Sequence, residues 1–338
     1  MEPAKIIEGK KWQWAGKIAV TAIFLYLANR SIRGSDLTQV WSKVTFFPVV
    51  LTLAFSIAGF LLQARRWQII LAHDSFPSGY RIALKTVLWG NTLAFITPGR
   101  VGEFLRGLEV DTHRKGDSVI AVIVEKAYIV GTTALIGLLC FAGNIFIVQK
   151  TPRVNEVVLL CMIILLALFV AAVFWKRDIV KEKHAFMKYI ARAWKMFPRL
   201  YTFAGQRALL YSLLIHGILI LQTALLFRMF GSTDMLVNYL AAGQAYAFMI
   251  FIPFSIANIG IREYSFALFL SSGAIAETLE GPVSSISLGA SMMILGANIF
   301  FPAFVGLIWE LVDSRGRGRD GEGRKTTRRR DDATTRRH

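Results

Sequence analysis

Six apolar runs alternate along this chain with short basic stretches, and that alternation restricts the fold more than any single motif. The runs cover residues 14–28, 44–63, 118–148, 157–175, 208–230 and 284–311. A helix needs about 20 apolar residues to cross a hydrocarbon core of roughly 30 Å. Composition points the same way. The chain is 54% hydrophobic yet carries a formal net charge of +17 over 338 residues, a pairing that one water-soluble core does not produce. The expected fold class is an all-α polytopic membrane protein, with residues 1–312 as a single membrane domain and residues 313–338 as a disordered basic tail.

Several other classes are excluded by the same reading. The first run passes through Leu25, Tyr26, Leu27, Ala28, Asn29 and Arg30 without a small-residue cleavage site, so it is expected to be a retained span. Cys140 and Cys161 lie within apolar runs and read as packing residues rather than as a disulfide or zinc framework. The basic excess sits beside span ends without a nucleic-acid-reading motif, so the expected partners are membrane lipids and not nucleic acid. No metal-ligand spacing, phosphate-binding P-loop or nucleophile elbow occurs, and neither a metal, a cofactor nor a catalytic residue is called for.

Two further apolar stretches do not read as simple spans. Residues 81–110 are interrupted at Thr97, Pro98 and Gly99, and residues 235–272 between Pro253 and Gly260. With the N terminus inside, the inner segments carry 29 Lys and Arg against five in the outer loops, which places both termini in the cytoplasm of a cell membrane. That orientation holds only if each broken stretch enters and leaves on one side, as a re-entrant or twice-crossing helix pair. Each is flanked by a span before and a span after, in opposite senses, giving repeat-like units at about 44–148 and 208–311. This is the layout of an inverted-topology repeat, which in transporters places the substrate between discontinuous helices near the midplane. Residues 176–199 alternate an apolar and a basic face and read as an interfacial helix.

Chemistry concentrates at the breaks. Pro98, Gly99 and Gly102 interrupt the first helix, and Arg100, Glu103 and Arg106 recur at spacing three along the half-helix that follows. Pro253, Asn258 and Gly260 interrupt the second, and Arg262 and Glu263 open the next half-helix. Glu125 and Lys126 stand inside the span from residue 118. Charges at membrane depth cost a few kcal/mol each unless paired or hydrated, so these positions are candidates for substrate binding. Bland readings remain open beside that one: Arg100 with Glu103, or Arg262 with Glu263, as neutralising pairs, and Arg106 reaching out to the surface. Glu125 and Lys126 either pair with the first loop or line a cavity. His216, Gln222, Gln244 and Asn298 read as interhelical hydrogen-bonding residues.

The residues from Asn91 to Arg106, with Pro98, Gly99, Arg100, Gly102, Glu103 and Arg106 in register, then Val124, Glu125 and Lys126, and finally Pro253 to Glu263, resemble the transmembrane region of lysylphosphatidylglycerol synthases. The resemblance spans roughly residues 15–312. Two departures stand out: Lys126 follows Glu125 where the family usually has Arg, and Asn258 takes the place of one of two glycines. The cytoplasmic aminoacyl-transfer domain of the full-length synthases finds no counterpart, so transfer of lysine from tRNA is not expected. The resemblance implies a flippase-like protein that translocates or handles a polar or anionic lipid. The alternatives are a membrane-embedded transferase, or an accessory subunit of lipid-linked glycan or envelope-lipid metabolism, with a homo-oligomer or an envelope-synthesis partner also open.

The orientation is directly testable. Single cysteines at positions 190 and 278, probed in intact cells with a membrane-impermeant thiol reagent, are expected to label from opposite sides. Labelling of both from the same side would remove the inverted repeat.

Overall fold

The computed structural model describes residues 42, 44–73, 76, 79–97, 102–110, 115–148, 161–162, 164, 202–250, 252, 258–271 and 273–312. The expected first span, most of the span at 157–175, the interfacial helix 176–199, the tail, and Pro98, Gly99, Arg100 and Pro253 lie outside these residues.

Eight helices form among the described residues. They are α1 (Phe46–His73), α2 (Tyr80–Ile96), α3 (Gly102–Leu105), α4 (Lys115–Gly143), α5 (Phe203–Phe230), α6 (Met235–Met249), α7 (Ile261–Leu270) and α8 (Val283–Leu295). A 3-10 turn, Arg106–Glu109, extends α3, and π-helical turns extend α4 through Asn144–Val148 and α8 through Gly296–Phe300. Beyond its π turn α8 stays helical, so one continuous rod runs from Val283 to Val312. Four helices are long and apolar enough to cross a membrane: Phe46–His73, Gly116–Val148, Phe203–Phe230 and Val283–Val312. The protein is a multi-pass membrane protein of the all-α class, with no strand among the described residues.

The apolar runs end later in space than in hydropathy. α1 passes beyond Gln63 through Arg65 and Arg66 to His73, because its inward stripe continues with Phe60, Ala64, Trp67 and Leu71 all buried. Arg65 stays exposed while Arg66 turns inward beside Trp67. A residue-averaged scale stops at two consecutive arginines; a helix with a 3.6-residue period does not.

α1 to α4 and α5 to α8 follow the same order: a long helix, a shorter one, a break with a short helix, and a second long helix. The halves interlock. α1 lies along α5, α6 packs on α4, and α2 reaches α8. Glycines allow the last two contacts. A Cβ on Gly137 of α4 would sit 2.1 Å from the Ala247 Cβ of α6, and one on Gly306 of α8 would sit 2.6 Å from the Leu88 carbonyl oxygen of α2. There Thr92 also donates to the Ala303 carbonyl at 2.9 Å. On the α5–α6 side, Ser232 and Leu279 form an antiparallel bridge, and Glu280 N–H donates to the Gly231 carbonyl at 2.8 Å. That pairing clips the turn after α5 to the segment leading into α8.

Between the long helices, amides and hydroxyls replace the water that lipid cannot supply. Gln222 of α5 donates to the Thr52 carbonyl at 2.9 Å and accepts from Asn298 at the same distance, while Ser56 bonds Asn298. His216 Nδ1 lies 3.1 Å from Thr132 Oγ1, and Gln244 donates to the Cys140 carbonyl at 3.2 Å. Polar side chains at helix seams in this role contribute about 1 kcal/mol each. Cys140 is buried as expected of a packing residue, whereas Cys161 is exposed.

Gly306→Ala is expected to lower the thermal midpoint, since a Cβ there would meet the Leu88 carbonyl of the α2 backbone, which cannot rotate away, as well as the Thr92 hydroxyl; overpacking of this kind costs about 1–3 kcal/mol. Gly59→Ala is the control: its Cβ meets nothing within 4 Å, so stability should hold or rise slightly. Equal midpoints for the two variants in detergent would show that α2 and α8 do not touch.

Candidate functional site

The first break is shaped by its backbone. Thr97 accepts the Gly102 N–H on its hydroxyl oxygen at 2.7 Å while that hydroxyl donates to the Leu93 carbonyl at 2.8 Å, tying the end of α2 to the start of α3. Gly102 lies so close to α2 that a Cβ there would be 2.3 Å from the Leu93 carbonyl. The chain therefore doubles back sharply, and the residues after the break return along α2 toward α4.

That return places Glu103 and Arg106 against α4. Glu103 forms an ion pair with Lys126, and Arg106 forms one with Glu125. Glu125 stands nine residues into its span, roughly 14 Å along the helix. The adjacent pair on α4 is thus matched, charge for charge, by a pair on the returning loop. Lys126 keeps part of its side chain open, at 28% exposure, whereas Glu125 and Arg106 are enclosed. Of the readings left open by the sequence, surface escape of Arg106 is overturned: its guanidinium is buried and lies 4.6 Å over the Trp67 ring. Gly90 of α2 makes room for it, since a Cβ there would come within 2.9 Å of the Arg106 Cδ.

A third helix contributes a charge that no sequence motif marks. Arg66 of α1 is 1% exposed, its Nη2 is 2.8 Å from Glu125 Oε1, and its Nη1 donates to the Ser212 hydroxyl of α5 at 3.1 Å. Its Nε has no hydrogen-bond partner. One carboxylate therefore holds two arginines, one on each oxygen, and through Ser212 the cluster reaches the other half of the molecule. Among the described residues it gathers three cations, Arg66, Arg106 and Lys126, and two carboxylates, Glu103 and Glu125.

The second break reverses direction through two left-handed residues, Asn258 at φ 57° and Gly260 at φ 82°. Asparagine is among the few side chains that tolerate this region, so it replaces a glycine there at modest cost. At the head of α7 the chain supplies its own anion: Glu263 accepts the Gly260 N–H at 2.6 Å. Its other oxygen accepts from Ser291 of α8. Arg262, 3% exposed, donates from Nε to the same Ser291 hydroxyl at 2.7 Å. Its Nη2 is 3.7 Å from Glu263 Oε1 and makes no hydrogen bond.

The two breaks are built alike. In each, a glutamate on the short helix engages a side chain of the following span, Lys126 in one and Ser291 in the other. The Lysylphosphatidylglycerol synthase TM region family matches residues 14–306, nearly the whole chain and both breaks with their partners. The chain belongs to that family. No curated protein matches it.

The residue range matched by the lysylphosphatidylglycerol synthase transmembrane family contains both sites. Of the sequence candidates, Glu103, Arg106, Glu125 and Lys126 meet in one cluster, and Arg262, Glu263, Asn258 and Gly260 in another. Arg66, Trp67, Ser212 and Ser291 join them without a sequence signal beyond helical period. No group of three or more His, Cys, Asp or Glu able to hold a metal occurs among the described residues.

The Glu103–Lys126 pair offers a measurable coupling. Glu103→Gln and Lys126→Met are each expected to lower stability, and the double variant to lose less than the sum, by about 1 kcal/mol. Strict additivity of the thermal shifts would dissolve the pair.

Proposed function

We propose that this protein moves or holds a polar, anionic lipid in the cytoplasmic membrane, using an inverted-topology repeat whose two breaks receive the headgroup. One observation carries the reading: the Arg262 guanidinium, buried beside a break between helices, has a nitrogen that no acceptor completes. A buried guanidinium with an uncommitted N–H suits a phosphate, whose oxygens accept charge-assisted hydrogen bonds from it. Glu263 and Ser291 hold the guanidinium in orientation. The acyl chains would stay in lipid, so only the headgroup needs a polar path. Family membership supports the lipid, and the matched architecture of the two breaks supports the repeat.

Transport and transfer chemistry make different demands on the carboxylates. A transporter needs charge and shape at the headgroup, whereas a transferase needs a proton acceptor aimed at its substrate. Glu263 spends both oxygens on Gly260 and Ser291, which favours orientation over proton transfer.

Arg262→Lys keeps the charge but loses the fork and is expected to retain part of anionic-lipid binding in nanodiscs; Arg262→Gln should lose nearly all of it. Thermal stability is measured alongside. Normal lipid binding by a destabilised Arg262→Gln protein would reduce Arg262 to a structural charge and overturn the proposal.

A further inference from the structure

The cluster around Glu125 poses a problem that pairing alone does not answer. One buried carboxylate would satisfy one buried arginine, yet Arg66 and Arg106 both converge on it from different elements. Each buried arginine adds a desolvation cost, and here both place that cost on the same carboxylate. The two are also held differently. Arg66 stands about two turns from the C-terminal end of a long helix, fixed by Ser212 of α5 and paired with Glu125 of α4. Arg106 opens a short 3-10 turn just after the break and rests on the flat face of Trp67. One arginine is anchored and the other sits on the re-entrant segment.

We infer that Glu125 is a displaceable counter-ion: a phosphate-bearing anion takes its place on Arg106, while Arg66 keeps Glu125 compensated. The inference rests on the lipid-handling reading above and extends it to a second phosphate position, in the first half, with Arg66 as a positioning residue. The physical reason is the cost of an orphan. Stripping a buried carboxylate of its only cation is strongly unfavourable, because it leaves an uncompensated charge. With Arg66 in place, Glu125 never loses its last partner, so Arg106 exchanges one anion for another at little net cost. Trp67 keeps the guanidinium flat during the exchange, presenting its edge to the incoming oxygens. Ser212 holds Arg66 back from following Arg106.

The test uses the full chain in nanodiscs of phosphatidylcholine alone, of phosphatidylcholine with phosphatidylglycerol, and of phosphatidylcholine with inorganic phosphate in solution. Lipid affinity and the lipid-dependent thermal shift are both read. Arg66→Gln leaves Glu125 dependent on Arg106 and is expected to weaken phosphatidylglycerol binding about ten- to a hundredfold, the range of one charge-assisted hydrogen bond. Arg66→Lys, which keeps the charge, should bind within a few fold of the unaltered protein. Arg66→Gln combined with Glu125→Gln should regain the binding, since Glu125 then no longer competes for Arg106. Glu125→Gln alone should show a larger thermal shift with phosphatidylglycerol than the unaltered protein, a readout that survives if Arg66→Gln fails to fold. A double variant no better than Arg66→Gln, an Arg66→Lys that behaves like it, or an unchanged shift in Glu125→Gln would each overturn the exchange. A shift from inorganic phosphate in phosphatidylcholine alone would support the exchange and assign the anion to solution. Lipid binding that depends on Arg262 but ignores Arg66 and Glu125 would sink this inference alone; no anion binding by the unaltered protein would sink the lipid reading with it.

Discussion

A charge inside a bilayer persists only where the fold brings it a partner, and both breaks in this molecule are built to meet that condition. Their partners come from distant sequence. Arg106 reaches Glu125 across the turn after the break, Arg66 reaches the same carboxylate from 59 residues away, and Arg262 meets Ser291 of the last span. The order of elements follows from this. A short helix that carries charge must be followed by a long helix that carries its complement, and both halves have that arrangement.

Meeting the condition requires close approach, and the small residues supply it. Gly102 lets the first break fold back against the α2 backbone, Gly90 leaves room for Arg106, and Gly306 and Gly137 let the halves cross. In lipid there is no hydrophobic gain from helix association itself, so packing and interhelical hydrogen bonds must hold the bundle. The cluster of Gln222, Asn298, Ser56 and Thr52 joins α1, α5 and α8 at the π turn of α8, where one extra residue per turn shifts the following side chains around the helix.

What was legible in the sequence follows from the range of the forces involved. Four of the six spans were, because about 20 apolar residues in a row have few other uses, and the other two lie largely outside the described residues. The breaks were, because proline and glycine act locally on the helix ladder. The pairing of Glu125 and Lys126 with the first loop stood as one of two open readings, and that pairing is present. Arg66 was not legible. It follows Arg65 at what hydropathy reads as the end of a span, and only helical phase separates the exposed arginine from the buried one. Ser212 and Ser291 were still less so, since a serine in a span becomes a partner only once a guanidinium is placed beside it.

The two halves solve the same problem with different stiffness. In the second, Glu263 is bound by its own helix terminus and by Ser291, so the carboxylate stays with the backbone that positions it. In the first, Glu125 is bound only by side chains, one anchored to α5 through Ser212 and one borne on the returning segment. A dry interior penalises any motion that leaves a charge alone, so rearrangement is confined to places where one partner can replace another without an interval. A carboxylate shared by two arginines is such a place, and a carboxylate fixed to a helix terminus is not. The first break is therefore the half in which the charges can change partners, and the second the half that keeps its geometry while they do.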